Sequence, residues 1–169
     1  MSNLVDKAFA KLQKLNNNAT TLEKNTLSNV TEWIDTGCLV LNSILSGSLY
    51  GGVPKGRITI FAGDSGCGKT FILNKILAHA QQKGMVPVIF DTEVAVENEG
   101  AENVGLDTSN VKYVPVDTVE NCRNQIMAFL DEVEKEPELH GKFIISIDSL
   151  GNLASEKEIN DAGANKGAM

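Results

Sequence analysis

Eight consecutive residues, Gly63-Asp64-Ser65-Gly66-Cys67-Gly68-Lys69-Thr70, constrain the fold of this chain more than any others. They match GxxxxGK[ST] and stand between a β-branched run, Ile58 to Phe61, and a helix-periodic stretch, Lys69 to Lys83. The pattern carries weight only in that strand–loop–helix setting, which this sequence provides. Glycines here permit positive φ and a close approach of main chain to a ligand. Successive N–H groups and the helix N-terminus can then surround phosphate oxygens. In such a loop Lys69 reaches the β- and γ-phosphates of a nucleotide, and the Thr70 hydroxyl binds Mg²⁺. Cys67 fits as a small residue in a position with little room.

Downstream, short apolar runs alternate with helical ones. Pro87 to Phe90, Tyr113 to Val116 and Phe143 to Ile147 join Ile58 to Phe61 as expected buried strands, apolar on both faces. Helices are expected over Lys69 to Lys83, Glu97 to Asn103 and Thr118 to Glu134. The alternation predicts an α/β fold with a mostly parallel sheet flanked by helices. A nucleotide site needs an acidic residue at the end of an apolar strand to serve the Mg²⁺ shell, and Asp148 directly follows Phe143 to Ile147. Ser149 reads either as an aid to the metal's waters or as a helix cap. Hydrolysis needs a group that activates water. The strand ending at Phe90 runs into Asp91-Thr92-Glu93, which makes Glu93 the candidate base and Asp91 a supporting or capping group.

Residues 1–30 differ from the rest. Leu4, Ala8, Leu12 and Leu15 fall at helical spacing with lysines opposite, and Asn16 to Asn29 is a polar linker. The helix packs either on its own domain or on a neighbouring subunit, and periodicity does not choose between them. The net charge of −7 argues against a general electrostatic grip on a polyanion. No segment has the form of a signal peptide or reaches membrane-spanning length, so a cytoplasmic protein without a membrane partner is expected. Cys38, Cys67 and Cys122 lack metal or redox spacing and read as reduced thiols.

The ordered segments TGCLVLNSILSG, GGVPKGRITIFAGDSGCGKT, VPVIFDTE, VGLD and FIISIDSLGNLAS closely resemble the ATPase core of RecA-type recombinases. IDSLGNLASEKE, with NVKYVPVDTVENC before it, is most similar to phage recombinases of the UvsX kind. The likeness spans Asp35 to Asp161 and implies a P-loop NTPase fold of RecA type over residues 31–169. It further implies an ATP-dependent strand-exchange enzyme that forms a filament of many copies on single-stranded DNA, with ATP held between subunits. By position, Gly63, Asp64, Ser65, Gly66, Cys67, Gly68, Lys69 and Thr70 would bind phosphate. Asp148 would join Thr70 at Mg²⁺, and Glu93 with Lys69 would carry the chemistry. The amphipathic residues 1–30 would form a subunit contact, and ATP would switch DNA affinity.

The sequence departs from that family in two places. The adenine-stacking tyrosine has no aromatic counterpart in Glu97-Asn98-Glu99-Gly100. The chain also stops at Met169, within the expected first DNA loop, Glu156 to Gly167, and nothing corresponds to the second. In the family, the strand between the phosphate-loop strand and the metal-aspartate strand comes later in the chain. The core is therefore expected to be C-terminally incomplete, with a gap between Ile58–Phe61 and Phe143–Ile147, as the N-terminal part of a longer protein. Two other readings are a hexameric replicative helicase ATPase and a nucleotide-dependent assembly module without a DNA role.

Overall fold

A computed structural model describes residues 2–26, 28–93 and 98–166, which divide into two compact units, 1–31 and 32–169. In the first, helix α1 (Ser2–Leu15) is followed by one turn of 3₁₀ helix at Leu22–Lys24. Leu4, Val5, Leu12 and Leu15 of α1 are all exposed.

The second unit opens with a short antiparallel pair, β1 (Trp33–Ile34) and β2 (Val53–Pro54), joined through α2 (Leu39–Ser46). Its core is the alternation α3 (Lys69–Gln82), β3 (Val86–Asp91), α4 (Asn98–Asn103), β4 (Lys112–Pro115), α5 (Val119–Lys135), β5 (Phe143–Asp148) and α6 (Glu156–Lys166). The strands form a parallel sheet in the order β4-β3-β5. The central strand β3 explains its own apolar sequence. Val88 and Phe90 pack with Cys122 of α5, and Ile89 packs with Leu77 and Ala78 of α3. Phe129 of α5 meets Phe143 of β5 edge to face, with ring centroids 5.0 Å apart. Fully burying side chains such as Leu77 or Phe90 contributes about 1.5–3 kcal/mol each, which fixes the helices against the sheet.

The parallel register sets the carboxyl ends of two strands level, with Ile89 beside Ser146 and Asp91 beside Asp148. Ligands bind at such ends in open α/β sheets. Three expectations need correction. Ile58 to Phe61 is not a strand: no described strand runs alongside to complete a ladder, so Ile58 is 92% and Ile60 73% exposed. Only Phe61 of that run packs, on the cluster of Ile34, Ile76 and Ala80. β4 is an edge strand rather than a buried one, and Lys112, Tyr113 and Pro115 are exposed. The segment expected as a DNA loop is helical as α6. Ser155 and Glu158 start it with a reciprocal cap, in which the Ser155 N–H donates to Glu158 Oε2 (2.8 Å) and the Glu158 N–H to Ser155 Oγ (3.2 Å).

Candidate functional site

The glycine loop leads from the unpaired segment into α3. Gly66 and Gly68 hold φ of 77° and 91°, and a Cβ on either would meet nothing within 4 Å. Their need for glycine is therefore conformational, and the space over the loop lies open. Gly68 ends the loop as the residue preceding the first turn of α3, where main-chain N–H groups lack helical acceptors. Lys69 folds back over its own loop, its Nζ donating to the carbonyls of Gly63 and Asp64 at 2.9 Å each. Both acceptors are neutral, so a phosphate would be a stronger partner for the ammonium.

At the second residue of α3, the Thr70 hydroxyl donates to Asp148 Oδ2 at 2.8 Å. Residues 78 positions apart thus meet where β5 ends. A hydroxyl and a carboxylate side by side are hard oxygen donors, so in donor chemistry the pair fits Mg²⁺.

Glu93 lies beside them because β3 and β5 finish in register. Thr92 ties the two strand ends together: its N–H donates to the Asp148 carbonyl (2.9 Å) and its hydroxyl to the Ser149 carbonyl (2.9 Å), while the Ser149 N–H donates to Thr92 Oγ1 (3.0 Å). Asp91, only 1% exposed, secures the main chain of Glu93 by accepting its N–H at 2.9 Å. The Tyr113 hydroxyl donates to the other Asp91 oxygen at 2.9 Å. Burial first, and this bond to Asp91 second, push the Tyr113 phenol above its ordinary pKa. The Glu93 carboxylate itself is exposed, and its Oε1 accepts from Ser149 Oγ (3.2 Å) and from the Asn152 amide.

Gly63 to Thr70, Asp148 and Glu93 therefore gather at one end of the sheet. Ser149 precedes a turn at Leu150–Asn152, yet its hydroxyl makes no cap and reaches Glu93 instead. Glu97 lies outside the described residues. Asn152, Thr92 and Tyr113 were not singled out from sequence. Their positions depend on strand register and on the turn after β5, which residue spacing does not reveal. Among the described residues no group of three or more His, Cys, Asp and Glu side chains could hold a metal, and no helix is long and apolar enough to cross a membrane.

Comparison with known proteins gives a consistent result. The RecA N-terminal domain family matches residues 3–167. The chain is 32% identical over 136 residues to the "Recombination and repair protein" of Enterobacteria phage T4, covering 79% of this chain and 34% of that protein. It is 41% identical over 99 residues to "Protein RecA" of Clostridium botulinum (strain Eklund 17B / Type B), covering 59% of this chain and 27% of the relative. With "Protein RecA" of a Nitratiruptor species it shares 37% identity over 128 residues, 76% of this chain and 34% of that one. The chain thus spans about a third of the length of the curated relatives it matches.

Proposed function

Because the chain belongs to the RecA N-terminal domain family, we propose that it supplies the ATPase part of a DNA recombinase that assembles as a filament on single-stranded DNA. The observation that carries this reading is the meeting of the Thr70–Asp148 pair, the glycine loop and Glu93 at the level carboxyl ends of β3 and β5. The printed names of the relatives, a recombination and repair protein and RecA, support the DNA-directed role.

In this reading the N–H groups of Gly63 to Thr70 hold the ATP phosphates. Lys69 leaves two neutral carbonyls for charged phosphate oxygens, an exchange that favours the bound state. Thr70 and Asp148 would hold Mg²⁺, which would supply positive charge against the phosphates. Glu93 orients the attacking water and accepts its proton. Single-stranded DNA and further copies of the chain are the partners, and the nucleotide switches DNA affinity by ordering segments near the site.

The test is ATP hydrolysis and nucleotide binding, measured together with and without single-stranded DNA, for this chain and for Glu93→Gln. The expected result is DNA-stimulated turnover that falls about 10²–10⁴-fold in Glu93→Gln, with ATP affinity changed less than about twofold. Parental turnover in Glu93→Gln would remove Glu93 from the chemistry. Turnover indifferent to DNA would replace the recombinase reading by that of a nucleotide-dependent assembly module.

A further inference from the structure

The carboxylate of Glu93 sits on an exposed loop end, where a free side chain samples many rotamers, yet a base must present one oxygen to one water. Its main chain is already secured through Asp91. Its side chain is held by a different segment, the turn that follows β5. Asn152 Nδ2 and Ser149 Oγ both donate to Oε1, and no donor among the described residues reaches Oε2. One oxygen is tethered and the other is left to accept a proton. We propose that Asn152 is a positioning residue that fixes the Glu93 carboxylate for water activation, a role that rests on the reading of Glu93 as the base.

Asn152 can serve as a fixed donor because its own backbone is anchored on both sides. Its N–H donates to the Ser149 carbonyl at 3.4 Å, closing the single turn Leu150–Asn152. Just beyond, Leu153 packs with Val88, Phe90 and Cys122, and the Ala154 carbonyl accepts the Val119 N–H at 3.1 Å. The turn is thereby pinned to the start of α5, and the amide on it points a donor at Glu93 from a set place.

The chemistry of an amide suits the task. A lysine at this position would pair with the carboxylate and draw it away from the water. An aspartate would repel it. A neutral N–H donor orients Oε1 and leaves the charge of Glu93 in place. Ser149 Oγ donates to the same oxygen at 3.2 Å, but a hydroxyl proton rotates freely whereas the planar amide of Asn152 presents its donor in a set direction, so Asn152 is the one expected to set the rotamer.

The contact can be read without turnover. In a ¹H–¹⁵N spectrum of the full chain, the Asn152 side-chain amide is the NH₂ pair that disappears in Asn152→Ala. Glu93→Gln replaces its charged acceptor with a neutral one, so this pair is expected to shift. An unmoved pair would overturn the proposal. In ATP hydrolysis Asn152→Ala is expected to lose about tenfold in kcat with KM for ATP within about twofold, the split expected of a group that acts only on the chemical step. Isosteric Asn152→Asp is expected to lose more, and Asn152→Gln to recover part of the rate by restoring the donor. Parental kcat in Asn152→Asp would refute the positioning role even if the NH₂ pair moves. Failure of the underlying reading looks different, because Glu93→Gln would then turn over at the parental rate.

Discussion

The substitution Asn42→Ala offers a direct test of what holds the second unit, 32–169, together. Asn42 is completely buried in α2 and uses its amide fully. Oδ1 accepts from the Thr36 N–H (2.9 Å) and the Thr36 hydroxyl (2.7 Å), while Nδ2 donates to Asp35 Oδ1 (2.8 Å) and to the Leu49 carbonyl (3.1 Å). Truncation would not cost four equal bonds. The Leu49 carbonyl belongs to an exposed residue and can take water, and the Thr36 hydroxyl can turn its one proton from Asn42 to the Cys38 carbonyl, 3.1 Å away. Thr36, 1% exposed, would be left with a buried N–H lacking an acceptor, at about 1–3 kcal/mol. Loss of the bond to half-buried Asp35 adds roughly 1 kcal/mol after allowance for solvent. The sum, about 3 kcal/mol, is a large part of the 5–15 kcal/mol typical of a whole domain. With a urea m-value of about 2 kcal/mol/M, the unfolding midpoint should fall by roughly 1.5 M. Trp33, the one tryptophan of the chain, lies in β1 just before this network and reports the transition by fluorescence. A midpoint lowered by less than about 0.4 M at unchanged m would show that the buried amide network contributes little.

Two further outcomes follow from local geometry. Gly52 has φ of 133°, and a Cβ there would stand 2.0 Å from the Ile34 carbonyl oxygen, so Gly52→Ala must force β1 and β2 apart. A loss of at least about 2 kcal/mol is expected in the same urea assay, and near-parental stability would show that the pair yields without strain. The raised phenol pKa of Tyr113 means that folding favours its neutral form. That stabilisation is complete below the unfolded phenol pKa of about 10 and is lost as pH rises through the folded one. Tyr113→Phe should therefore lose less stability than the parent as pH rises above about 10, and the two should run parallel below it; parallel losses above about pH 10 would rule out the linkage.

Much of this architecture was legible in the residues themselves. The helix after the glycine loop and the strands ending at Asp91 and Asp148 lie close to where periodicity placed them, because each is amphipathic or apolar enough to declare its burial. Proximity of Thr70 to Asp148 also followed from local pattern, since both stand at element ends that a parallel sheet brings to one side. Ile58 to Phe61 misled for the opposite reason. Its β-branched composition is that of a strand, but a strand exists only with a neighbour, and composition carries no record of the neighbour. Asn42 and Asn152 were invisible for a third reason. An asparagine reads as a turn or surface residue, and whether its amide is buried or aimed at a carboxylate depends on contacts that its own stretch of chain does not encode.

The two sides of the three-stranded sheet are unequally defended. The β4 edge presents Lys112 and ends at Pro115, residues that discourage another strand from adding on. The outer side of β5, Phe143-Ile144-Ile145-Ser146-Ile147, has no charge and no proline before Asp148, and no described strand covers it. Exposed Ile58 and Ile60 add apolar surface to the same unit. Such an edge is a template for self-association, and the main force opposing it is repulsion between molecules that each carry a net charge of −7. Salt shortens the reach of that repulsion from about 10 Å at 0.1 M to about 3 Å at 1 M, while sulfate or phosphate salts also favour apolar burial. Colloidal behaviour should therefore run opposite to that of a protein held in solution by balanced surface charge: dilute buffer keeps the chain dispersed, and added salt drives its strand edges together.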